Sequence, residues 1–402
     1  MDKTVSVLLV GIGGYGQFYA SELLKAVEAS DIRVAGVVDI APETSRFYGK
    51  IKEFGIPVFT TMEEFYEKST ADLAVISTPI YLHRQQVCYA LSKGSHVLCE
   101  KPISATIQEA YEIMKARDKS GRFLAVGYQW SFSEPVLNLK KDILNGLFGK
   151  ALRLKTLVLW HRDLRYYSRP WAGKMKSADG RWILDSVANN GAAHFLHNML
   201  FINGKTMDTS IMPRYVSAEL FRANKIENFD TSIITIDTDE DIKLMLYASH
   251  AAKGNSVKLS YEFEKGTVSF ESMGYGIDNT GIIADFHDGS SKNYGDPDKG
   301  MFTKLWTCID AVRSGAQIPC GLEASMAHTL CINGAHESMP QVREFPENMV
   351  ILDKDGGKLW VDGLAESLEE CYEKWSIPEA PGASWAVPGR MVDMKDYCCF
   401  NE

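Results

Sequence analysis

Up to about residue 130, short apolar runs alternate with stretches whose apolar residues recur at helical spacing. The apolar runs predict buried strands at Val5–Val10, Ile32–Val38, Leu73–Ser77, His96–Cys99 and Phe123–Val126. The intervening patterns predict helices at Tyr15–Ala29, Tyr81–Ser92 and Thr106–Lys119. Because parallel strands are joined by crossover helices, this alternation predicts a parallel sheet covered on both faces. We assign residues 1–128 to such a doubly wound α/β domain.

Beyond Gly127 the pattern changes. It predicts a helix at Glu134–Gly146, a strand at Ala151–Trp160, an aromatic-rich polar loop and a helix from about Ser186 to Phe201. Residues 214–272 alternate with period two, which is typical of half-buried antiparallel strands, and a hairpin is predicted to turn at Lys265 and Gly266. Further helices are predicted at Asp298–Ser314, Glu323–Ser338 and Leu364–Trp375. We assign residues 129–402 to a second, α+β domain.

Composition and charge narrow the class of protein. The 402 residues are 45% hydrophobic and 24% charged, as in soluble globular proteins. A net charge of −9 argues against a broad nucleic-acid surface, which needs clustered Lys and Arg. No run approaches the ~20 apolar residues of a membrane span, and the first apolar stretch is too short for a signal peptide. None of the eight cysteines forms a CxxC pair, so we predict a cytoplasmic protein without a metal site.

The first predicted strand runs directly into a glycine-rich turn, and a helix follows it. A strand, turn and helix of this kind bind the diphosphate of a dinucleotide, and we assign this role to Gly11, Ile12, Gly13, Gly14, Tyr15 and Gly16. The alternative is a tight turn without a ligand. Asp39 ends the second strand, where an acid accepts hydrogen bonds from ribose hydroxyls and repels the extra phosphate of NADP. We therefore predict NAD rather than NADP, while a helix-capping role for Asp39 before Pro42 stays open.

Two further strand ends carry polar residues towards the same sheet edge. Glu100 and Lys101 follow the fifth strand, where we predict that both contact the cofactor, and Pro102 restricts the direction in which the lysine leaves it. A fixed ammonium there could stabilise a developing alkoxide, although a surface lysine is the simpler interpretation. The fourth strand ends in a segment that would lie over the cofactor crevice, and from it we predict cofactor contacts by Ser77, Thr78, Pro79 and His83.

The motifs VGIGGYG, GVVD, STPIYLH and CEKPIS, in this order, resemble those of the glucose–fructose oxidoreductase and inositol dehydrogenase family, also called Gfo/Idh/MocA. The resemblance continues more loosely through VGYQWSF and GLEASMAHTLCINGAHES, to about residue 340. It implies a Rossmann domain followed by an open, largely antiparallel sheet whose face covers the nicotinamide. It also implies a homo-oligomer, a dimer or tetramer formed through the exposed face of that sheet.

Members of that family usually carry Asp-x-x-x-His on a helix of the second domain, and the histidine exchanges a proton with the reacting hydroxyl. His194 fits the histidine, but Asn190 stands where the aspartate is expected. Asp185 lies nine residues before His194, about half a turn out of phase on a regular helix, so it suits a helix N-cap or a loop contact better, and it is a candidate substrate-binding or structural residue. Because asparagine does not ionise, we expect His194 to act as a base over a wider pH range. Without the resemblance, His194 would be interpreted as a core residue.

Other polar residues are candidates for substrate or cofactor contacts. Gln129 follows the sixth strand and could hydrogen-bond near the nicotinamide. His197 lies one helical turn beyond His194, where it could contact substrate or fix the helix. The loop before the histidine helix is rich in aromatic and basic residues, as suits a sugar or polyol, and from it we take Trp171 and Lys174. The alternative for this loop is a purely structural or oligomer contact.

These residues predict an NAD-dependent oxidoreductase acting on a hydroxyl of a sugar, sugar acid or cyclitol. Lys101 would polarise the oxygen, Asn190 would orient it, and His194 would exchange its proton. One alternative is a glycoside-processing enzyme that oxidises, eliminates and re-reduces with NAD retained. The other is a dinucleotide-binding regulatory protein without catalytic activity, an idea that the missing aspartate supports.

Overall fold

The computed structural model describes residues 4–29, 32–274, 278–353, 356–378 and 385–400. Within these ranges, one sheet has six parallel strands: β1 (Val5–Val10), β2 (Ile32–Val38), β3 (Val58–Phe59), β4 (Leu73–Ile76), β5 (His96–Cys99) and β6 (Leu124–Val126). The helices between them are α1 (Gly16–Glu28), α2 (Tyr48–Glu53), α3 (Met62–Lys68), α4 (Ile80–Ser92) and α5 (Ile107–Ser120).

The parallel sheet has the strand order β3-β2-β1-β4-β5-β6. Every residue of β1 and β4 is buried, because helices cover both faces of the sheet, and this explains the uninterrupted apolar runs in the sequence. The direction of winding reverses between β1 and β4, which opens a crevice beyond the carboxyl ends of these strands. The predicted doubly wound domain is confirmed. Strand β3 was not predicted, since two residues leave no recognisable pattern.

The second sheet is mainly antiparallel and has eleven strands in the described residues. After α6 (Glu134–Leu144) and β7 (Ala151–Trp160), a π-helical turn at Val187–Gly191 leads into α7 (Ala193–Phe201). The remaining strands of this sheet are β8 (Pro213–Arg222), β9 (Thr231–Thr238), β10 (Lys243–Ser249), β11 (Asn255–Phe263), β12 (Gly266–Met273), β13 (Asp278–Asn279), β14 (Ile282–Phe286), β15 (Ser291–Gly295), and two short pieces, β16 (Arg343–Glu344) and β19 (Val392–Asp393).

The last third of the chain adds helices and a hairpin around the sheets. They are α8 (Thr303–Ser314), α9 (Leu322–Ser338), the hairpin of β17 (Val350–Asp353) and β18 (Lys358–Val361), and α10 (Leu364–Lys374). Helix α8 packs against β1, β4 and β5 of the parallel sheet, although it follows the second sheet along the chain. The division of the chain at residues 128 and 129 therefore stays a prediction. No helix in the described ranges is long and apolar enough to cross a membrane.

The two faces of the second sheet are covered by different parts of the chain. Helices α7 and α9 pack on one face and join the main apolar core. On the other face, Leu157 and Tyr247 are buried together with Leu368 of α10 and Trp385. The resemblance implied an oligomer contact on the exposed face of this sheet, and the chain's own C-terminal residues cover the part of that face formed by β7 to β10. Oligomerisation stays a prediction.

The hairpin between β11 and β12 differs from the prediction by one residue. Phe263 pairs with Gly266, so the two turn residues are Glu264 and Lys265. The glycine serves another purpose, because a Cβ at residue 266 would lie 2.6 Å from the carbonyl oxygen of Asp285 on β14. Gly266 therefore permits close approach of the neighbouring strand rather than the turn itself.

Candidate active site

The glycine-rich turn connects β1 to α1 at the crevice of the parallel sheet. Gly11 has φ +84°, and a Cβ there would lie 2.8 Å from the carbonyl oxygen of Ser77. A Cβ at Gly16 would lie 2.1 Å from the carbonyl oxygen of Gly11. These two glycines are explained by the packing of strand, turn and helix.

Gly13 is not explained in that way. Its φ is not positive, and an added Cβ would meet no described atom within 4 Å. Neither conformation nor protein packing therefore requires glycine, and close approach of a ligand remains as the reason. Helix α1 also begins without a side-chain cap and without an acidic residue in its first turn, which leaves its N-terminal N–H groups for an anion. The turn fits a dinucleotide diphosphate.

The other predicted residues of this turn point inwards. The side chain of Ile12 is fully buried, and its backbone N–H donates to Asp39 Oδ2 at 2.7 Å. The ring of Tyr15 lies 4.6 Å from Lys304 Nζ, with its hydroxyl buried. Asp39 Oδ1 also accepts from Ala41 N, and the short helix that begins at Pro42 has no side-chain cap. Asp39 therefore joins the turn to the end of β2 and is not a helix cap.

Lys101, which follows β5 of the parallel sheet, is in contact with Asn190 of the second domain. Lys101 Nζ donates to the carbonyl oxygen of Asn190 at 2.8 Å and to its Oδ1 at 3.0 Å. An ammonium group has three N–H donors, and the described residues accept from two of them. Burial of most of the side chain lowers the pKa of Lys101 to about 8, and the nearby cations Lys304 and Arg162 contribute in the same direction.

Asp185 is placed differently from the prediction. The N-cap of the π-helical turn is Ser186, whose side chain accepts from Asn189 N, so the predicted cap role of Asp185 is wrong. Its Oδ1 accepts from Asn190 Nδ2 at 2.9 Å and its Oδ2 from Gly173 N at 2.7 Å. The carboxyl group is buried, which raises its pKa to about 6. Asp185 is 2% exposed and both its oxygens are bonded to protein, so it positions Asn190, and its predicted substrate contact is not supported.

The segment that carries Asn190 is an irregular helix. Ala192 N donates to the carbonyl oxygen of Val187 at 2.7 Å, which is a π-type bond inside a segment predicted to be regular. Such π turns widen the helix and often occur at functional sites. Asp185 precedes the N-cap Ser186 and is outside this helix, so helical phase does not determine its contacts, and its bond with Asn190 was not predicted.

His194 lies just after the π-helical turn and is partly exposed. Its Nδ1 is buried and has no hydrogen-bond partner among the described residues. Burial lowers the pKa of His194 well below 6.5, and the positive charge of Lys101 acts in the same direction. The imidazole is therefore neutral near pH 7, as a proton acceptor must be.

Glu100 does not face the crevice as predicted. Its carboxylate accepts from Tyr19 of α1 at 2.7 Å and from Lys304 of α8, and all three side chains are buried. Burial alone would raise the pKa of Glu100, but Lys304 lowers it below the usual value. Glu100 is thus half of a buried ion pair that joins α8 to the end of β5. Its predicted cofactor contact is not supported.

The segment that ends β4 lies against the glycine turn, since the atoms nearest to a Cβ at Gly11 belong to Ser77 and Thr78. Pro79 precedes α4 as its cap residue. His83 is fully occupied by backbone: Nδ1 lies 2.9 Å from the carbonyl oxygen of Pro102 and Nε2 lies 2.8 Å from that of Thr78. It ties the loops after β4 and β5 together and has no free nitrogen for a cofactor.

Two more predicted contacts belong to the protein interior. His197 is buried, stacks on Tyr128 at 3.8 Å between ring centroids, and shares a hydrogen bond with Ser131 Oγ. Its predicted substrate contact is therefore not supported. Gln129 Nε2 lies 3.4 Å from Asp298 Oδ1, which also accepts from Trp130. The contacts of His197 agree with the alternative prediction that it fixes the helix.

The loop before the π-helical turn adds a residue that was not predicted. Tyr166 places its hydroxyl 3.5 Å from Asn190 Nδ2. The guanidinium of Arg169 stacks on the rings of Tyr166 and Trp171, and Lys174 Nζ pairs with Glu227 at 2.7 Å. The aromatic and basic composition identified this loop, but nothing in the sequence shows which tyrosine faces Asn190.

Comparisons with known proteins agree with the fold and with this arrangement. Residues 5–128 match a family model described as the Gfo/Idh/MocA oxidoreductase family, NAD-binding Rossmann fold. A 2,7-anhydro-N-acetylneuraminate hydratase from Mediterraneibacter gnavus is 30% identical over 37% of this chain and 38% of its own length. A scyllo-inositol 2-dehydrogenase (NADP+) from Bacillus subtilis is 23% identical over 68% of this chain and 70% of its own.

A solved structure extends the likeness to the second sheet. The WlbA dehydrogenase from Bordetella pertussis, in complex with NADH and UDP-GlcNAcA, superposes with a TM-score of 0.70 at 20% identity, over 84% of this chain and 97% of that chain. The glycine turn, Lys101 after β5 and the histidine of α7 thus lie on a shared framework. Residues 5–128 therefore match the NAD-binding domain of the Gfo/Idh/MocA oxidoreductase family, and the solved structure shows that the fold of the rest is shared.

Proposed function

We propose that the protein is an NAD-dependent oxidoreductase that acts on a secondary hydroxyl of a sugar, sugar acid or cyclitol. The observation that carries the proposal is the contact of Lys101, from the parallel sheet, with Asn190, next to the histidine helix of the second domain. It places an ammonium with one remaining donor beside a neutral imidazole. The matched relatives named for a neuraminate derivative and for scyllo-inositol support this substrate class.

The residues that would hold NAD are those of the glycine turn, with Asp39 at the adenosine ribose. The open space at Gly13 and the uncapped start of α1 suit the diphosphate. Next to Asp39, the side chain of Ile40 is 88% exposed and offers an apolar surface to a base. The carboxylate of Asp39 supports NAD over NADP, because a 2′-phosphate would be repelled. When bound, NAD supplies the acceptor for the hydrogen and two electrons that leave the substrate carbon.

The chain's own residues would move the proton and hold the oxygen. In the oxidation direction, the neutral imidazole of His194 would take the hydroxyl proton. The free N–H of Lys101 would donate to the same oxygen while negative charge develops on it. Asn190 and Asp185 keep the ammonium in place through the amide.

The experiment has two steps. Thermal denaturation with NAD and with NADP should show a larger stabilisation by NAD. The NAD-saturated protein is then given a panel of sugars, sugar acids and cyclitols while nicotinamide absorbance is followed at 340 nm. Accumulation of NADH supports the proposal. Product formation without net NADH would indicate the NAD-retaining alternative, and binding of NAD with no reaction on the whole panel would indicate a regulatory protein.

A further inference from the structure

We propose that the substrate carries an anionic group, a carboxylate or a phosphate, and that a pocket beside Arg169 binds it. This inference rests on the proposed function, because it concerns the same substrate. The pocket has a volume of about 480 Å³ and is lined by polar and charged residues that include Tyr167, Arg169, Lys174, Lys225 and Glu227. We call it the Arg169 pocket.

The charge in the Arg169 pocket is unbalanced. Its cations are Arg169, Lys174 and Lys225, and its one carboxylate among the lining residues is Glu227. Glu227 is already occupied, since its oxygens accept from Lys174 Nζ at 2.7 Å and from Met175 N at 3.0 Å. Across the described residues, Arg169 and Lys225 have no carboxylate within ion-pair distance. Two cations are therefore left for a ligand.

Arg169 is held in one orientation. Its Nε donates to the carbonyl oxygen of Tyr166 at 3.0 Å, and its guanidinium carbon lies 4.0 Å from the Tyr166 ring centroid and 4.5 Å from that of Trp171. Arg169 is an exposed residue, but the two rings and the backbone bond restrict the plane of its guanidinium, and the backbone bond uses one of its five N–H groups. The terminal nitrogens are left for a carboxylate or phosphate, which a guanidinium binds with two parallel hydrogen bonds.

The Arg169 pocket is close to the reacting groups. Tyr166 carries Arg169 on the face of its ring and has its hydroxyl 3.5 Å from Asn190 Nδ2. The Tyr166 ring thus contacts both Arg169 and the residue that holds Lys101. A sugar whose hydroxyl lies at Lys101 would present a charged substituent to Arg169. Trp171 and Lys174 were predicted to contact substrate directly. In this arrangement Trp171 holds Arg169, and Lys174 neutralises Glu227.

The experiment measures anion binding without turnover. The full chain is saturated with NAD, so that the glycine turn is filled, and is dialysed to equilibrium against radiolabelled inorganic phosphate at low ionic strength. We expect one saturable phosphate per chain with a Kd on the order of 1 mM. Malonate is added as a competitor: displacement at lower concentration than phosphate identifies a carboxylate site, and the reverse identifies a phosphate site.

The matched control lies on the same loop. R169Q should weaken phosphate binding by about tenfold, and K225Q, at an exposed position, by about threefold. R165Q removes the same charge from a side chain that is 92% exposed and should change the Kd by less than about twofold. Absence of saturable binding, or an equal loss in R165Q and R169Q, would overturn the inference. Because no turnover is needed, anion binding without NADH formation would reject the proposed function alone.

Discussion

Asn190 bonds Asp185 through its amide nitrogen, at 2.9 Å, and Lys101 through its amide oxygen, at 3.0 Å. This orientation is dictated by its neighbours, since a flipped amide would turn its NH2 group towards the ammonium and its oxygen towards the carboxylate. Asn190 therefore transmits the position of a buried carboxyl group to the lysine. Asn190 and Asp185 together stand where the family that the sequence resembles usually has a single aspartate.

The pH dependence of turnover should have two limbs. Asp185 has a pKa of about 6 and supports the amide when ionised, so activity should rise as the pH increases through about 6. Lys101 has a pKa of about 8 and donates to substrate only when protonated, so activity should fall as the pH increases through about 8. The measurement is kcat/KM between pH 5 and 10. D185N should lose the acidic limb; an unchanged acidic limb would show that Asp185 does not control the site.

N190D should move the alkaline limb. The new carboxyl group would lie 2.9 Å from Asp185, so N190D is combined with D185N, which leaves one carboxylate 3.0 Å from Lys101 Nζ; it would favour the charged ammonium and raise the pKa of Lys101 by about one unit or more. The same change should raise the pKa of His194, because a nearby anion favours imidazolium. The alkaline limb of kcat/KM should therefore lie above pH 9. A limb that stays at about pH 8 would mean that Lys101 is not the group that titrates.

Replacing Gly13 should separate ligand binding from stability. A methyl group at residue 13 meets no described atom, so G13A should leave the free energy of unfolding within about 0.5 kcal/mol, while the Kd for NAD rises about tenfold or more. G16A, whose Cβ would lie 2.1 Å from a carbonyl oxygen, should reduce stability sharply. G49A is the control, since its Cβ also meets nothing and it lies outside the turn. Calorimetric titration and urea denaturation give both quantities; equal NAD affinity in G13A and G49A would contradict the assignment of the turn.

Asp39 should decide between the two cofactors. D39S removes the negative charge at the ribose and one acceptor for Ile12 N. We expect the Kd for NAD to rise and the Kd for NADP to fall, changing the preference by about tenfold or more towards NADP. The two dissociation constants are measured by quenching of protein fluorescence. An unchanged ratio would place the ribose elsewhere.

Phe400, near the end of the described residues, packs where the site loops meet. It is buried with Ile80 of α4, Ala105 and Leu184, and its backbone bonds Gln108 of α5 in both directions. Leu184 has φ +50° and directly precedes Asp185, so its conformation depends on this packing. F400A should cost about 3 kcal/mol of unfolding free energy and lower kcat. F400L restores most of the apolar volume and should recover both; recovery of stability without activity would separate the two effects.

The fold could be predicted to a large extent because its signals are local. Buried runs such as Val5–Val10, the glycine turn and Lys101 at a strand end depend on a few consecutive residues. The site could be predicted only in part, since its contacts depend on an irregular turn and on residues far apart in the chain. Asp185, before the helix N-cap, bonds Asn190 inside an irregular turn, and Glu100 pairs with Lys304 from α8, 204 residues further along the chain. Neither partner can be identified from spacing alone.

The most direct measurement compares wild type with K101M and H194A in single-turnover reactions. Each protein is saturated with NAD and mixed with the best substrate of the panel, and nicotinamide absorbance is followed. Loss of the positioned ammonium or of the imidazole should each slow NADH formation by about 10² to 10⁴-fold while the Kd for NAD changes little. If wild type forms NADH and both variants form it at the same rate, Lys101 and His194 do not perform the chemistry assigned to them.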